Sequence, residues 1–442
     1  MQTDAKTIVN TLVRHSSHPC CFLSPHPKVM DFTSREASSS CGVRLVSGAG
    51  EDLVSLGDEW SARMFCNALR LTLLEGDRRL FAWDWKTVSS FLLGRHSIAM
   101  APHNSLVDLK LLETMFDQRA ERPASSAEFA SRLKAALAHA GWSSFQRVYR
   151  EVYCPLSTRA VPEMEAAGIL SEDRLHSHYE IAGQDNGRML CHTAFERGYN
   201  PHVISPDQRS SYKPLGLGDV FVSFDYSGME AMMLAWLSGD DRLLGMCRGG
   251  DLYRSVYEEL TRTPCDTDDK RRMCKSFLLP MFYGMGPRAV SERVGIPERA
   301  CESLADRLRT SFERSWGFVE SAQRSAETDG SITDRFGKTR RMPDKPYRAR
   351  NFAVQSPAAV FCMSGLLRLR ESLNGIGRVL YNVHDGYVAS VPRDRVRDAL
   401  LAGRDALETE SELFPGLSIG ATCSVGRSLS DMRRINVPRK TR

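Results

Sequence analysis

Two apolar runs that each end on an aspartate constrain this 442-residue chain more than any other feature. The first reads Val-Phe-Val-Ser-Phe-Asp-Tyr-Ser-Gly-Met-Glu (220–230), the second Val-Leu-Tyr-Asn-Val-His-Asp-Gly-Tyr-Val-Ala-Ser-Val (379–391). Both look like strands. The second alternates on its later arm and reads as a hairpin with Gly386 at the turn. An aspartate at a strand end is usually a turn or cap residue. Two on neighbouring strands can instead hold two hard cations about 3.5–4 Å apart, the arrangement that drives in-line phosphoryl transfer. Asp225 and Asp385 are that candidate pair.

A helical stretch lies between them. Residues 268–284 read Asp-Asp-Lys-Arg-Arg-Met-Cys-Lys-Ser-Phe-Leu-Leu-Pro-Met-Phe-Tyr-Gly. Arg271, Lys275, Leu279 and Tyr283 recur every four residues, so a helix displays them as one slowly drifting stripe. A stripe that starts cationic and ends aromatic suits a nucleoside triphosphate, with cations on the phosphates and the ring near base and sugar. The plainer alternative is an exposed basic turn leading into a buried helix.

Together the three segments resemble motifs of the family A DNA polymerases, the group related to bacterial DNA polymerase I. The family's Asp-Tyr-Ser-x-x-Glu is met by Asp225, Tyr226, Ser227 and Glu230. Its Arg-x3-Lys-x7-Tyr-Gly is met by Arg271, Lys275, Tyr283 and Gly284, and its Val-His-Asp turn by Val383, His384 and Asp385. Further stretches fall in family order: Gly187-Arg188, Tyr199-Asn200-Pro201, Leu237-Ser238-Gly239-Asp240, Asp251-Leu252-Tyr253, Arg335-Phe336-Gly337, and Asn351 with Gln355. The resemblance covers roughly residues 145–430.

The resemblance implies a template-directed DNA polymerase that adds deoxynucleotides to a primer 3′-hydroxyl. Asp225 and Asp385, with the backbone carbonyl of Tyr226, would hold two Mg²⁺ ions, with Mn²⁺ able to substitute. Arg271 and Lys275 would contact the phosphates, Lys275 could protonate the leaving group, and Tyr253 would add a phosphate contact. Glu230 would lie beneath the sugar and, with Tyr283, exclude a 2′-hydroxyl. Arg188, Asn351, Gln355 and His384 would grip the primer terminus and minor groove, whose acceptors are shared by all base pairs. Taken alone, Asn351 and Gln355 also fit a polar stripe on a packed helix, and Glu230 a surface carboxylate. Two other functions stay open: a polymerase-fold scaffold that binds nucleic acid without turnover, and an RNA polymerase or template-independent transferase. Glu230 opposes the RNA version.

Four positions depart from the family pattern. Leu279 replaces an aromatic residue, and Pro280 follows it inside a helix, where it removes a hydrogen bond and should kink the chain. Gly228 replaces a polar residue, and Gly386 an acidic one.

The rest of the chain sets bounds. Hydrophobic content of 42% and charged content of 26% fit a globular fold of two or three domains. No apolar run is long enough to span a bilayer and the N-terminus has no apolar signal core, so no membrane partner is expected. Twelve scattered cysteines without Cys-x2-Cys spacing argue against zinc and disulfides and for a reducing cytoplasm; the bacterial, viral or plasmid setting is an expectation that goes with the polymerase resemblance alone. Net charge is only +5, but residues 334–350 carry seven Lys or Arg against two Asp, among them Lys338, Arg340 and Arg341. Such a run can neutralise phosphates of a primer–template, or simply be a solvated loop. The basic tail from Arg427 reads as a disordered end. The resemblance implies primer–template DNA and deoxynucleoside triphosphates as partners; a replication accessory protein stays open, and no residue identifies one.

The expected fold is α/β of the α+β kind: a right-hand palm and fingers with an antiparallel palm sheet. The palm would comprise 186–245 and 346–442, and the fingers 246–345. Connecting helices at 141–185 would stand where the family has a long thumb. Residues 1–140 would form a small α/β unit with strands near Gly42–Val46 and Leu80–Trp83. By family position this is a ribonuclease H-like 3′–5′ exonuclease domain, although an unrelated domain also fits. Met30-Asp31-Phe32-Thr33 has Thr where the exonuclease needs Glu, and Trp83–Val88 has Val where it needs Asp, so proofreading should be lost.

Overall fold

The computed structural model describes residues 5–16, 22–26, 30–33, 39–47, 50–70, 80–100, 106–117 and 121–438. They fall into two compact units, one of residues 1–225, 362–409 and 421–442, the other of 226–361 and 410–420.

The first unit holds two five-stranded sheets. The N-terminal sheet contains β1 (Phe22–His26), β2 (Gly42–Ser47), β3 (Gly50–Ser55), β4 (Leu80–Ala82) and β5 (Leu106–Asp108), in the order β3-β2-β1-β4-β5. Strands β1 to β3 form an antiparallel meander; β4 runs parallel to β1, and β5 to β4. A helix follows β4 and β5 directly: α1 (Trp85–His96) and α2 (Leu109–Met115). Helix α1 is buried on every side from Trp85 to Leu92, polar residues included. A helix buried all round is an interior element, and its lysine must then find a counter-charge.

Residues 142–160 form a helical stretch with two wide turns that runs into α3 (Val161–Ala167). Two short ladders follow, Ile169–Leu170 with Arg174–Leu175 and His178–Glu180 with Leu190–His192, and no helix intervenes before Pro201.

The second sheet orders β7 (Arg378–Val383), β8 (Gly386–Pro392), β6 (Asp219–Tyr226), β9 (Ala421–Gly426) and β10 (Arg433–Ile435) as β7-β8-β6-β9-β10. Strands β7 and β8 are the expected hairpin, and β6 lies antiparallel to β8. The helix Val396–Glu408 packs on this sheet through Gly403, where an added Cβ would lie 2.5 Å from the Phe224 ring. The expectation of a disordered basic tail fails up to Ile435. Cys423, Ser424 and Val425 pair with Ile435, Arg434 and Arg433, so the ladder's hydrogen bonds order these residues despite their charge. Residues 439–442 lie outside the described residues.

The second unit is mostly helical. Its principal elements are α4 (Met229–Ser238), α5 (Leu252–Thr261), α6 (Asp268–Phe282), α7 (Glu313–Asp329) and the first half of α8 (Arg348–Ser372). Gly228 precedes α4 at φ +65°, and a Cβ there would meet only Leu252 Cδ2, at 4.0 Å. Backbone conformation, not crowding, favours glycine at that position. Asp240, buried, accepts from the Leu243 and Ser315 amides and so links the end of α4 to α7. Helix α6 continues through Pro280 to Phe282, and the missing amide falls in its last turn. Helix α8 is the one described helix long and apolar enough to cross a membrane, and 78% of its most apolar window is buried within the protein, as in a core helix.

Candidate active site

The β6–β8 register decides where the two aspartates meet. Asp225 pairs with Gly386, the residue after Asp385, and Val383 pairs with the same glycine across the turn. His384 and Asp385 are therefore the two loop residues of a tight hairpin. His384 takes φ +54°, a conformation that hairpin turns demand and that histidine tolerates better than most side chains. A Cβ on Gly386 would stand 3.7 Å from Asp225 Oδ2, so the carboxylate of Asp225 lies over the base of the turn. Asp225 is exposed and Asp385 half-buried. Behind them sits Cys362. Burial raises its thiol pKa, the charges of Asp385 and Asp225 raise it further, and Arg188 opposes them. One buried sulfur thus feels both carboxylates and Arg188.

This donor set suits Mg²⁺. It offers hard carboxylate oxygens and a neighbouring main-chain carbonyl, and no third His, Cys, Asp or Glu joins them among the described residues. Magnesium commonly takes one or two carboxylates and completes its shell with water and substrate phosphate.

In the helical unit, Glu230 is held at both oxygens. The Tyr283 hydroxyl donates to Oε2 at 2.9 Å and Gln355 Nε2 donates to Oε1 at 3.1 Å. Residue 230 lies in the first turn of α4, Tyr283 caps the end of α6, and Gln355 lies on α8, so three elements fix one carboxylate. Asn351, half-buried, lies one turn before Gln355 on the same face of α8.

Helix α6 starts with a cap: Thr267 accepts from the Lys270 amide, and Asp268 and Asp269 occupy its positive first turn. Arg271 pairs with Asp251 and lies 5.5 Å from the centre of the Tyr253 ring. Burial alone would raise the Asp251 carboxyl, but the Arg271 hydrogen bond pulls it below its ordinary value. Lys275, one turn on, is exposed. Asp251 also caps α5 by accepting from the Tyr253 and Arg254 amides. Arg271, Tyr253 and Asp251 therefore form one cluster.

Residues 146–431 match the family model of DNA polymerase family A, more than half of the chain. The chain belongs to DNA polymerase family A. It is 29% identical over 220 residues to a thermostable DNA polymerase I of Thermus filiformis, a match covering 46% of this chain and 26% of that protein. Over 259 residues it is 26% identical to the DNA polymerase I of Chloroflexus aurantiacus, covering 53% and 27%. A DNA polymerase of Mycobacterium phage D29 is 27% identical over 216 residues, covering 48% and 34%. The matched stretch is about a quarter of the length of the bacterial relatives. Among solved structures, the POL domain of Pol1 from M. smegmatis, in complex with DNA primer-template and dNTP, superposes with a TM-score of 0.68. That match covers 97% of this chain and 99% of that one at 15% identity, a likeness of fold.

The basic segment of this family A chain behaves differently from its sequence reading. Residues 331–333 and 339–341 form a two-stranded ladder closed by buried Asp334, which accepts from the Phe336 and Lys338 amides and from the Ser356 hydroxyl. Lys338 is 1% exposed, with Nζ 5.6 Å from the Phe352 ring centre, and Arg340 is 6% exposed. The expectation that Lys338 and Arg340 face DNA is corrected on that ground. Strand alternation turns Arg340 inward and Arg341 outward, so Arg341 alone of the three is open to solvent.

A second charged cluster lies where β4 and β5 end. Asp84, at φ +61°, pairs with Lys110 at 2.6 Å, while Asp108 accepts from the Asp84 and Trp85 amides. Lys86 pairs with Glu165 on α3 at 3.0 Å. A cavity of about 180 Å³ opens beside these groups, lined also by Thr87, Ser157 and His178. Val88 is fully buried in α1. Asp31 sits in a turn outside the sheet, accepting from the Thr33 amide and hydroxyl and from the Glu196 amide.

Sequence reasoning missed His202, Asn382 and Tyr179, which surround the His384 turn. Little local marks them. Tyr179 and Asn382 are 203 positions apart yet share two hydrogen bonds. The one available signal was His202 itself, next to the quoted Tyr199-Asn200-Pro201.

Proposed function

We propose that this chain is a template-directed DNA polymerase that extends a primer 3′-hydroxyl with deoxynucleotides. The observation that carries the reading is the ladder register that puts Asp225 opposite Gly386, one residue from Asp385. In this reading Asp225, Asp385 and the Tyr226 carbonyl hold two Mg²⁺ ions. Bound there, the ions lower the pKa of the primer hydroxyl and stabilise the departing pyrophosphate. Arg271 and Lys275 bind the triphosphate, with Tyr253 beside them and Lys275 placed to protonate the leaving group. Glu230, fixed by Tyr283 and Gln355, blocks a ribose 2′-hydroxyl. Arg188, Asn351, Gln355, His384 and Arg341 contact the primer–template.

The same reading assigns no proofreading to the N-terminal sheet. At the ends of β4 and β5, Asp84 is engaged by Lys110 and the Thr87 hydroxyl and Asp108 by backbone amides, while Asp31 is engaged by two backbone amides and the Thr33 hydroxyl. None stands open as a ligand set for cations. In the same reading processivity is low unless a partner or the N-terminal domain takes the place of the thumb, since residues 168–200 hold no helix.

Primer extension tests the proposal, run with dNTPs or NTPs, with and without template, and with Asp385→Ala as control. Template-dependent lengthening with dNTPs that disappears in the variant supports it. Lengthening without template, with NTPs alone, or not at all overturns it.

A further inference from the structure

His384 is exposed and in a strained backbone region, Asp385 is half-buried, and the loop bearing them is two residues long. Its support comes from Asn382, the residue just before Val383. The Asn382 side chain spans the turn, its Nδ2 donating to the carbonyls of His384 at 3.3 Å and Gly386 at 2.9 Å. Asn382 is itself fixed through its main chain. Its amide donates to the Tyr179 hydroxyl at 3.3 Å, and its carbonyl accepts from that hydroxyl at 3.1 Å.

His202 supplies the second donor to the same carbonyl. Its Nε2 lies 3.1 Å from Asn382 O. A carbonyl only accepts, so Nε2 carries the proton. The His202 ring also lies 5.7 Å from the His384 ring, the planes inclined by 32°. His202 is well anchored. Asn200 Oδ1 accepts from the His202 amide at 2.9 Å, Asn200 Nδ2 donates to Cys191 O at 2.9 Å, and Pro201 between them is buried. A continuous set of bonds thus runs from the Leu190–His192 ladder through Asn200 and His202 to Asn382 and the turn.

We propose that His202 is a positioning residue for nucleotide transfer: its Nε2–H bond to the Asn382 carbonyl sets the turn that places Asp385. This rests on the polymerase reading. The consequence is specific. The bond governs where Asp385 stands and makes no contact with the triphosphate, so its loss slows the chemical step and leaves nucleotide affinity alone. A displacement of about 1 Å in such a group costs on the order of a hundredfold in rate.

Single-turnover nucleotide insertion by the full chain, with varied dNTP, tests this in His202→Phe, His202→Ala and His202→Gln. Phe keeps a ring without the donor; Gln restores a donor without the ring. The expected result is at least a tenfold fall in maximal rate for Phe and Ala, a dNTP half-saturation within about twofold of the parent, and recovery of most of the rate in Gln. Space-filling alone predicts the reverse order, with Phe active and Gln slow. A Phe variant within twofold of the parent rate, or a Gln variant as slow as Phe, overturns the inference. An inactive parent chain refutes the polymerase reading instead, and is seen before any variant is compared.

Discussion

Replacing Lys86 by Met should cost this protein about 3–5 kcal/mol of stability, because it strands a buried negative charge. The Lys86 and Glu165 side chains are 7% and 0% exposed, with Nζ 3.0 Å from Oε1. Two groups could replace the lysine, and neither is adequate. The Tyr179 amide already donates to Oε1 at 2.6 Å, while among the described residues Oε2 has no hydrogen-bond partner. His178 lies 3.7 Å from Oε1, but burial, the larger cause of its lowered pKa, persists without Lys86 and opposes its taking a charge. Glu165→Gln alone strands the lysine and should cost a comparable amount. The double variant Lys86→Met/Glu165→Gln removes both charges and keeps an acceptor for the Tyr179 amide. It should recover at least about 2 kcal/mol over the sum of the single variants, since neutral replacements of buried pairs are often tolerated. Urea denaturation at neutral pH, followed by circular dichroism on all four proteins, supplies the cycle. Single variants each within about 1 kcal/mol of the parent, or strictly additive losses, would refute the argument, since that is the behaviour of a solvated pair. The pair joins α1 to α3, so the cycle also reports whether the N-terminal sheet unfolds with the rest of its unit.

Two further outcomes follow from the geometry. Burial and then the Asp84 charge raise the Asp108 carboxyl to about 6, above the ordinary value of about 3.9. The folded state therefore favours its protonated form, and the stability it contributes is complete below about pH 4 and lost as pH rises through 6. The urea midpoint of the parent relative to Asp108→Asn should fall across that interval; a constant difference contradicts the shift. Glu230→Ala should raise ribonucleotide insertion relative to deoxynucleotide insertion by about tenfold to a few hundredfold, because it removes the carboxylate that Tyr283 and Gln355 hold in place. Unchanged sugar discrimination in single-nucleotide insertion would remove Glu230 from that role.

Elements whose period and turn chemistry are local could be read from the chain. The hairpin at 379–391, the strands near Gly42 and Leu80, and helix α6 are of this kind. The charge run at 334–350 misled for a physical reason: a solvated loop and an inward-facing ladder have the same composition, and only pairing with 331–333 turns Arg340 inside. Arg433–Ile435 is the same case, a basic tail made into a strand by a partner across the sheet. The supports of the His384 turn were hidden because Tyr179, His202 and Asn382 are ordinary residues until the fold joins them. The Lys86–Glu165 pair, 79 positions apart, was hidden for the same reason.

Under the proposed function, Asp225 and Asp385 act as one unit in phosphoryl transfer. The most direct measurement is the rate of a single deoxynucleotide addition in magnesium at saturating substrate, for Asp225→Asn, Asp385→Asn and the double variant. Each single variant should lose at least about a thousandfold, and the double variant little more than either, because groups that act as a unit are non-additive. A single variant that retains rates within tenfold of the parent, or losses that multiply in the double variant, would contradict it.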